Sequence, residues 1–146
     1  MAALPRPTDA ELEILRVLWM RGASTVRQVN EHLSIGREIG YTTTLKLMQI
    51  MAEKGLVSRD ETDRTHVYYA RATQGQTQRQ LVSDLMDRAF GGSASALVLQ
   101  ALNAQPASQA ELEEIGRLIR DYQTEQTPAD RKRGGKSAKQ AGEHHE

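Results

Sequence analysis

The 146-residue sequence contains no cysteine. Disulfide scaffolds, thiolate metal centres and cysteine nucleophiles are excluded together, and the composition suits a reducing cytoplasm. Aromatic residues are scarce, with one Trp, one Phe and four Tyr, which leaves few platforms for stacking single-stranded bases. Long apolar runs are also missing. No segment is therefore expected to insert in a membrane, and the opening MAALPRPTDAE has no signal-peptide core. Neither charge is in excess, since 19 Lys/Arg face 19 Asp/Glu. Bulk composition gives no support for nucleic-acid binding, so such a reading must rest on where the cations sit. A glycine-rich phosphate loop, an H-E-x-x-H pair and a suitably spaced Ser/His/Asp set are all lacking. The chain is expected to be no enzyme and to use no cofactor or metal.

What is present is helical periodicity with clear punctuation. Thr8 and Glu11 form a capping-box pair ahead of Leu12, Leu15, Leu18 and Trp19, which recur at helical spacing, and Gly22 ends that helix. Ser24 or Thr25 caps a second short helix with Val26, Val29 and Leu33 on its buried stripe. Gly36 and Gly40 bracket a loop. A third helix is expected from Thr42 to Lys54, with Thr44, Leu47, Met48 and Met51 inward and Gly55 as its stop. The period then changes. LVSR at 56–59 and HVYYA at 66–70 flank the polar segment Asp60–Thr65 and read as a β-hairpin with a solvated tip.

Three compact helices followed by a hairpin make a winged helix-turn-helix, so the fold class expected is mainly α. Residues 71–77 read as a connector. Further helical stripes follow: Leu81, Val82, Leu85, Met86, Ala89 and Phe90, then Leu97, Val98, Leu99 and Leu102, broken by Gly91-Gly92-Ser93. After Pro106, a capping box from Ser108 to Glu111 opens a helix carrying Leu112, Ile115, Leu118, Ile119 and Tyr122. These stripes are too apolar for so few residues to bury alone. A second copy would cover them, which predicts a helical dimerisation unit. The expected organisation is a DNA-binding domain at 1–75, a dimerisation domain at 76–125 and a disordered basic tail at 126–146.

In a helix-turn-helix the N-terminal part of the second motif helix points side chains into the major groove. Thr42, Thr43 and Lys46 lie opposite Leu47, Met48 and Met51, so they are the candidate DNA contacts. The bland alternative makes Thr42 a cap and Lys46 a solvated lysine. Arg59 and Arg64 on the wing are placed to meet the sugar–phosphate backbone, with His66 either joining them or packing at a strand edge. Asp60, Glu61 and Asp63 would repel DNA if they faced it. This leaves open a second reading, a winged-helix protein-interaction module without specific DNA binding. In the tail, His144 and His145 lack a third metal ligand, and Arg131-Lys132-Arg133, Lys136 and Lys139 either add nonspecific DNA affinity or simply solubilise.

Four segments in order carry a resemblance: TDAELEILRVLW, TTTLKLMQIMAEKGLVSR, HVYYA and FGGSASALVLQAL. Together, across roughly residues 8–120, the chain resembles the penicillinase-repressor family of bacterial winged-helix regulators (BlaI/MecI/CopY). The resemblance implies a cytoplasmic homodimer that binds double-stranded DNA at a palindromic promoter operator and blocks transcription. It places Leu45 beside Thr42, Thr43 and Lys46 in the recognition helix. Phe90, Leu97, Val98, Leu99, Leu102, Leu112, Ile115 and Ile119 fall in the implied dimer interface. In the antibiotic-resistance branch a membrane sensor protease pathway leads to repressor cleavage; the aligned bond here is Gln100–Ala101, which departs from that branch's Asn–Phe pair. Thiolate copper sensing, used by another branch, is excluded by the absence of cysteine.

Overall fold

The structure is a computed structural model that describes residues 4–126. The expected tail, with its basic cluster and paired histidines, lies outside the described residues apart from Gln126. Two compact units divide between Gly92 and Ser93.

The first unit is built on helices whose starts the sequence specifies chemically. α1 (Asp9–Arg21) begins at a capping box in which Thr8 Oγ1 accepts from Glu11 N (3.2 Å) and Glu11 Oε1 accepts from Thr8 N (2.8 Å). α2 (Val26–Leu33) repeats the device with Thr25 and Gln28. α3 (Tyr41–Lys54) starts at Gly40 and stops at Gly55, whose φ of 85° and ψ of 14° are left-handed. Leu56 N donates to Met51 O (2.9 Å) and Gly55 N to Ala52 O (3.2 Å), so the freed carbonyls of the last turn are satisfied. A side chain at Gly55 would be strained in this conformation.

β1 (Val57–Asp60) and β2 (Val67–Ala70) form the antiparallel hairpin, with Arg59 opposite Tyr68 and Val57 opposite Ala70. Tyr68 is also bridged on its other side: Ser24 N donates to Tyr68 O (2.9 Å) and Tyr68 N to Ser24 O (2.8 Å). The wing is thereby stitched to the α1–α2 connection. Ile14, Leu15, Val17, Leu18, Val26, Val29, Met48, Met51, Leu56, Val57 and Tyr68 form one core. Truncating such a residue to alanine typically costs about 2–5 kcal/mol.

Two expectations are corrected. The buried face of α1 comprises Ile14 and Val17 with Leu15 and Leu18, whereas Leu12 and Trp19 are half-buried. α1 packs against α2, α3 and β2, so a single stripe is too narrow for it. Trp19 instead sits at the margin, where Nε1 donates to Ala72 O (3.0 Å). Residues 71–77 are largely helical, because α4 (Gln74–Ala89) starts at a further capping box between Thr73 and Gln76. The boundary expected after residue 75 thus falls inside α4, which packs within the first unit. Thr77 is buried, Arg6 makes a two-pronged ion pair with Asp84 (3.0 Å), and Gln80 Nε2 donates to Leu4 O.

In the second unit, α5 (Ala94–Ala104) is capped by Ser93, whose Oγ accepts from Ala96 N (3.1 Å). Helical backbone resumes from 109 to 126, opened by Ser108 Oγ accepting from Glu111 N (3.1 Å). No residue of α5 is buried.

Glu11 is only 2% exposed. Burial alone pushes its carboxyl up. The hydrogen bonds from Lys54 Nζ (2.6 Å) and from Thr8, together with the lysine charge, outweigh burial and hold the pKa below the usual glutamate value. Glu11→Gln should destabilise the fold by about 1–3 kcal/mol at neutral pH, read by urea unfolding. A lowered folded pKa makes the contribution complete above the unfolded pKa and lost as pH falls through the folded one. The stability gap between the parent chain and Glu11→Gln should therefore close on acidification; a gap constant with pH would count against this account.

Candidate nucleic-acid interface

The polar face of α3 is held in place from both ends of the helix. Near its start, Asn30 on α2 donates from Nδ2 to Ile39 O (2.9 Å) and to Thr44 Oγ1 (3.0 Å). Thr44 has no exposed surface, so this contact sets how α2 and α3 cross. At its end, Lys54 is held by Glu11. With Met48 and Met51 buried between these points, the opposite side of α3 is left to solvent: Tyr41, Thr42, Thr43, Lys46 and Gln49 are exposed.

Beside that face runs a groove of about 630 Å³ between α3, the start of α2 and the wing. Tyr41, Leu45 and Gln49 line it from α3, one helical row at spacing of four. Thr25 and Arg27 line it from α2, and Arg59, Arg64 and His66 from the hairpin. Three arginines, one from α2 and two from the hairpin, thus converge. Hydrogen bonding to Tyr68 raises the pKa of Arg59 most, desolvation opposes it, and the adjacent Glu61 carboxylate adds to the rise. Such a groove offers hydrogen-bond donors and positive charge to an anionic surface. Among the described residues no group of three or more His, Asp or Glu is placed to hold a metal ion, and no helix is long and apolar enough to cross a membrane.

The candidate residues divide accordingly. Leu45, Arg59 and Arg64 line the groove, while Thr42, Thr43 and Lys46 occupy the exposed α3 surface outside its lining. Sequence reasoning missed Arg27 and Gln49, and it included Tyr41 in the base-reading segment 41–46 without singling it out. Arg27 could have been suspected from its place just after the Thr25 cap, at a helix start that faces phosphate in this motif. Gln49 could not, and Tyr41 could not be singled out, because the choice among helical rows depends on where the wing folds back.

In the second unit, Leu97, Leu102 and Ile115 are half-buried, whereas Val98 (43%), Leu99 (56%), Leu112 (42%) and Ile119 (51%) are exposed. Phe90 is half-buried at the end of α4 in the first unit. Gln100 and Ala101 are exposed in the middle of α5, with Ala101 O accepting from Gln105 N (3.3 Å).

Three helices, a hairpin stitched back onto them and C-terminal helices define a winged helix-turn-helix protein. The chain belongs to the penicillinase repressor family, whose model matches residues 7–121; the family is one of transcriptional repressors and not of enzymes. The transcriptional regulator BlaI of Mycobacterium tuberculosis is 44% identical over 69 residues, 47% of this chain and 50% of that protein. The match therefore spans about half the length of that relative. The methicillin resistance regulatory protein MecI of Staphylococcus aureus is 20% identical over 112 residues, 77% of this chain and 91% of that one. The penicillinase repressor of Bacillus licheniformis is 21% identical over 122 residues, covering 84% and 95%. Among solved structures, the DNA binding domain of the repressor BlaI aligns with TM-score 0.45 and 24% identity, covering 52% of this chain and 93% of that one. RosR of H. salinarum aligns with TM-score 0.46 and 20% identity, covering 80% and 94%.

The contact that sets α2 against α3 is testable by unfolding. Asn30→Ala should lower stability by about 1–2 kcal/mol, since Ile39 O and Thr44 Oγ1 lose a shared donor. Thr44→Val keeps the shape and leaves Asn30 bonded to Ile39 O, so it should cost less. The reverse order in urea titrations would show that packing at Thr44, and not the Asn30 bridge, sets the crossing.

Proposed function

We propose that the protein is a cytoplasmic transcriptional repressor that binds a palindromic promoter operator as a homodimer. α3 enters the major groove, where Thr42, Thr43, Lys46 and the row Tyr41–Leu45–Gln49 meet base edges and adjoining phosphates. Arg27, Arg59 and Arg64 neutralise backbone phosphates on either side. The observation that carries this reading is the convergence of those three arginines beside an exposed polar helix face in a chain with zero net charge.

Dimerisation is assigned to the helices from 76 to 125. Its support is the apolar surface left uncovered on α5 and on 109–126. Leu99 and Leu112 alone are the kind of large side chains that a partner copy would bury, each worth about 1.5–3 kcal/mol when fully covered. Cleavage at Gln100–Ala101 would require α5 to unwind, because the bond lies inside hydrogen-bonded helix.

The experiment is a fluorescence-anisotropy titration of DNA from the protein's own upstream region against a scrambled duplex at two salt concentrations. Selective binding at two chains per palindrome, weakening with salt, is expected. Equal and weak binding to both duplexes would favour the interaction-module reading, which the acidic wing tip supports. Lys46→Ala or Gln49→Ala should each cost about 1–3 kcal/mol on the selected duplex if they touch bases, whereas Arg27→Ala should chiefly flatten the salt dependence, by about one unit of slope. Leu99→Asp should sediment as monomer and bind far more weakly; an intact dimer would displace the interface from α5.

A further inference from the structure

The groove beside α3 is cationic, but one of its arginines is already engaged. Arg59 Nη2 lies 2.5 Å from Glu61 Oε1, where β1 gives way to the hairpin tip. Arg59 is also hydrogen-bonded to Tyr68, but both members of the ion pair keep contact with solvent, at 37% and 53% exposure, so an anion from solution can reach the guanidinium and compete with Glu61. The tip carries three carboxylates within four residues: Asp60, Glu61 and Asp63. They are not equivalent. Asp60 Oδ1 is occupied locally, accepting from Thr62 N (2.9 Å) and Thr62 Oγ1 (2.5 Å). Asp63 is exposed and makes no ion pair with a groove arginine. Glu61 is the one aimed at the cationic wall.

A carboxylate and a phosphate present the same kind of acceptor to a guanidinium fork, and the fork cannot serve both at full strength. We propose that Glu61 acts as an internal stand-in for a DNA phosphate, occupying Arg59 in the free protein and being displaced when the wing meets the duplex backbone. This inference rests on the DNA-binding reading above. The displacement weakens binding to any duplex by the same factor, because it involves a backbone contact and no base. Once displaced, Glu61 also stays in the field of the phosphates and adds repulsion. Glu61 therefore sets the absolute affinity and its salt dependence, while sequence choice stays with α3.

The test uses the full chain in anisotropy titrations against two probes, the upstream duplex and a pool of random-sequence duplexes, at two salt concentrations. Glu61→Gln should tighten binding to both by about three- to tenfold, equally, and steepen the salt slope by up to about one unit. Asp63→Asn makes the same charge change without touching Arg59 and should shift affinity by less than about twofold. In an Arg59→Ala background, Glu61→Gln should lose most of its effect and fall to the Asp63→Asn level. Equal gains from Glu61→Gln and Asp63→Asn, or a gain that persists undiminished without Arg59, would overturn the proposal in favour of diffuse repulsion. Failure of the DNA-binding reading shows separately, as an unaltered chain that binds neither probe, and that result overturns this inference with it.

Discussion

One oxygen atom organises the first unit. Glu11 Oε1 accepts from the backbone N–H of Thr8 and from Lys54 Nζ at the same time, joining the beginning of α1 to the end of α3. Burying a carboxylate without partners is costly by several kcal/mol, so this position is tolerable only while both donors are present. The lysine also lies in the last turn of α3, where positive charge meets the negative end of the helix dipole. The same short-range device that starts one helix thus fixes the far end of another. With Asn30 bonded near its start, α3 is tied at both ends, and its polar face has a defined direction.

The wing completes the arrangement through Tyr68. Its backbone pairs with Arg59 on one side and Ser24 on the other, and its ring is in the core. Arg59 therefore projects from a strand position whose partner cannot shift without disturbing the α1–α2 connection. A loop arginine would have to be ordered on binding; a strand arginine paired to a buried tyrosine is ordered beforehand, which reduces the entropy lost in association. Arg64, by contrast, enters the groove from the hairpin tip between the two strands.

The first three helices and the hairpin are legible in the sequence because their signals are local. Thr8–Glu11 and the glycines at 22 and 55 mark ends by chemistry that acts within a turn, and the switch from period 3.6 to Val/Tyr-rich strands is abrupt. α4 is harder to read at its start: Gln74, Gly75 and Gln76 offer no apolar stripe, and the cap on Thr73 is easily taken for a linker. Thr42, Thr43 and Lys46 are readable as surface residues of α3, since Met48 and Met51 define the opposite face. What periodicity cannot supply is the row that faces the wing. Tyr41, Gln49 and Arg27 become groove residues only through tertiary placement. The burial of Glu11 is hidden for a related reason, because a capping-box glutamate is ordinarily solvated and only its pairing with a lysine 43 positions away draws it inward.

Between the two units the chain passes through Gly91 and Gly92, both with positive φ (55° and 80°). Two successive left-handed residues suit glycine and disfavour every other side chain. The stretch that separates the groove-bearing unit from the apolar helices is thus a glycine turn, closed onto the end of α4 by Gly92 N donating to Met86 O (2.9 Å). The divide between the units is thus intolerant of substitution at two adjacent positions, where any β-carbon would strain the backbone whatever its polarity.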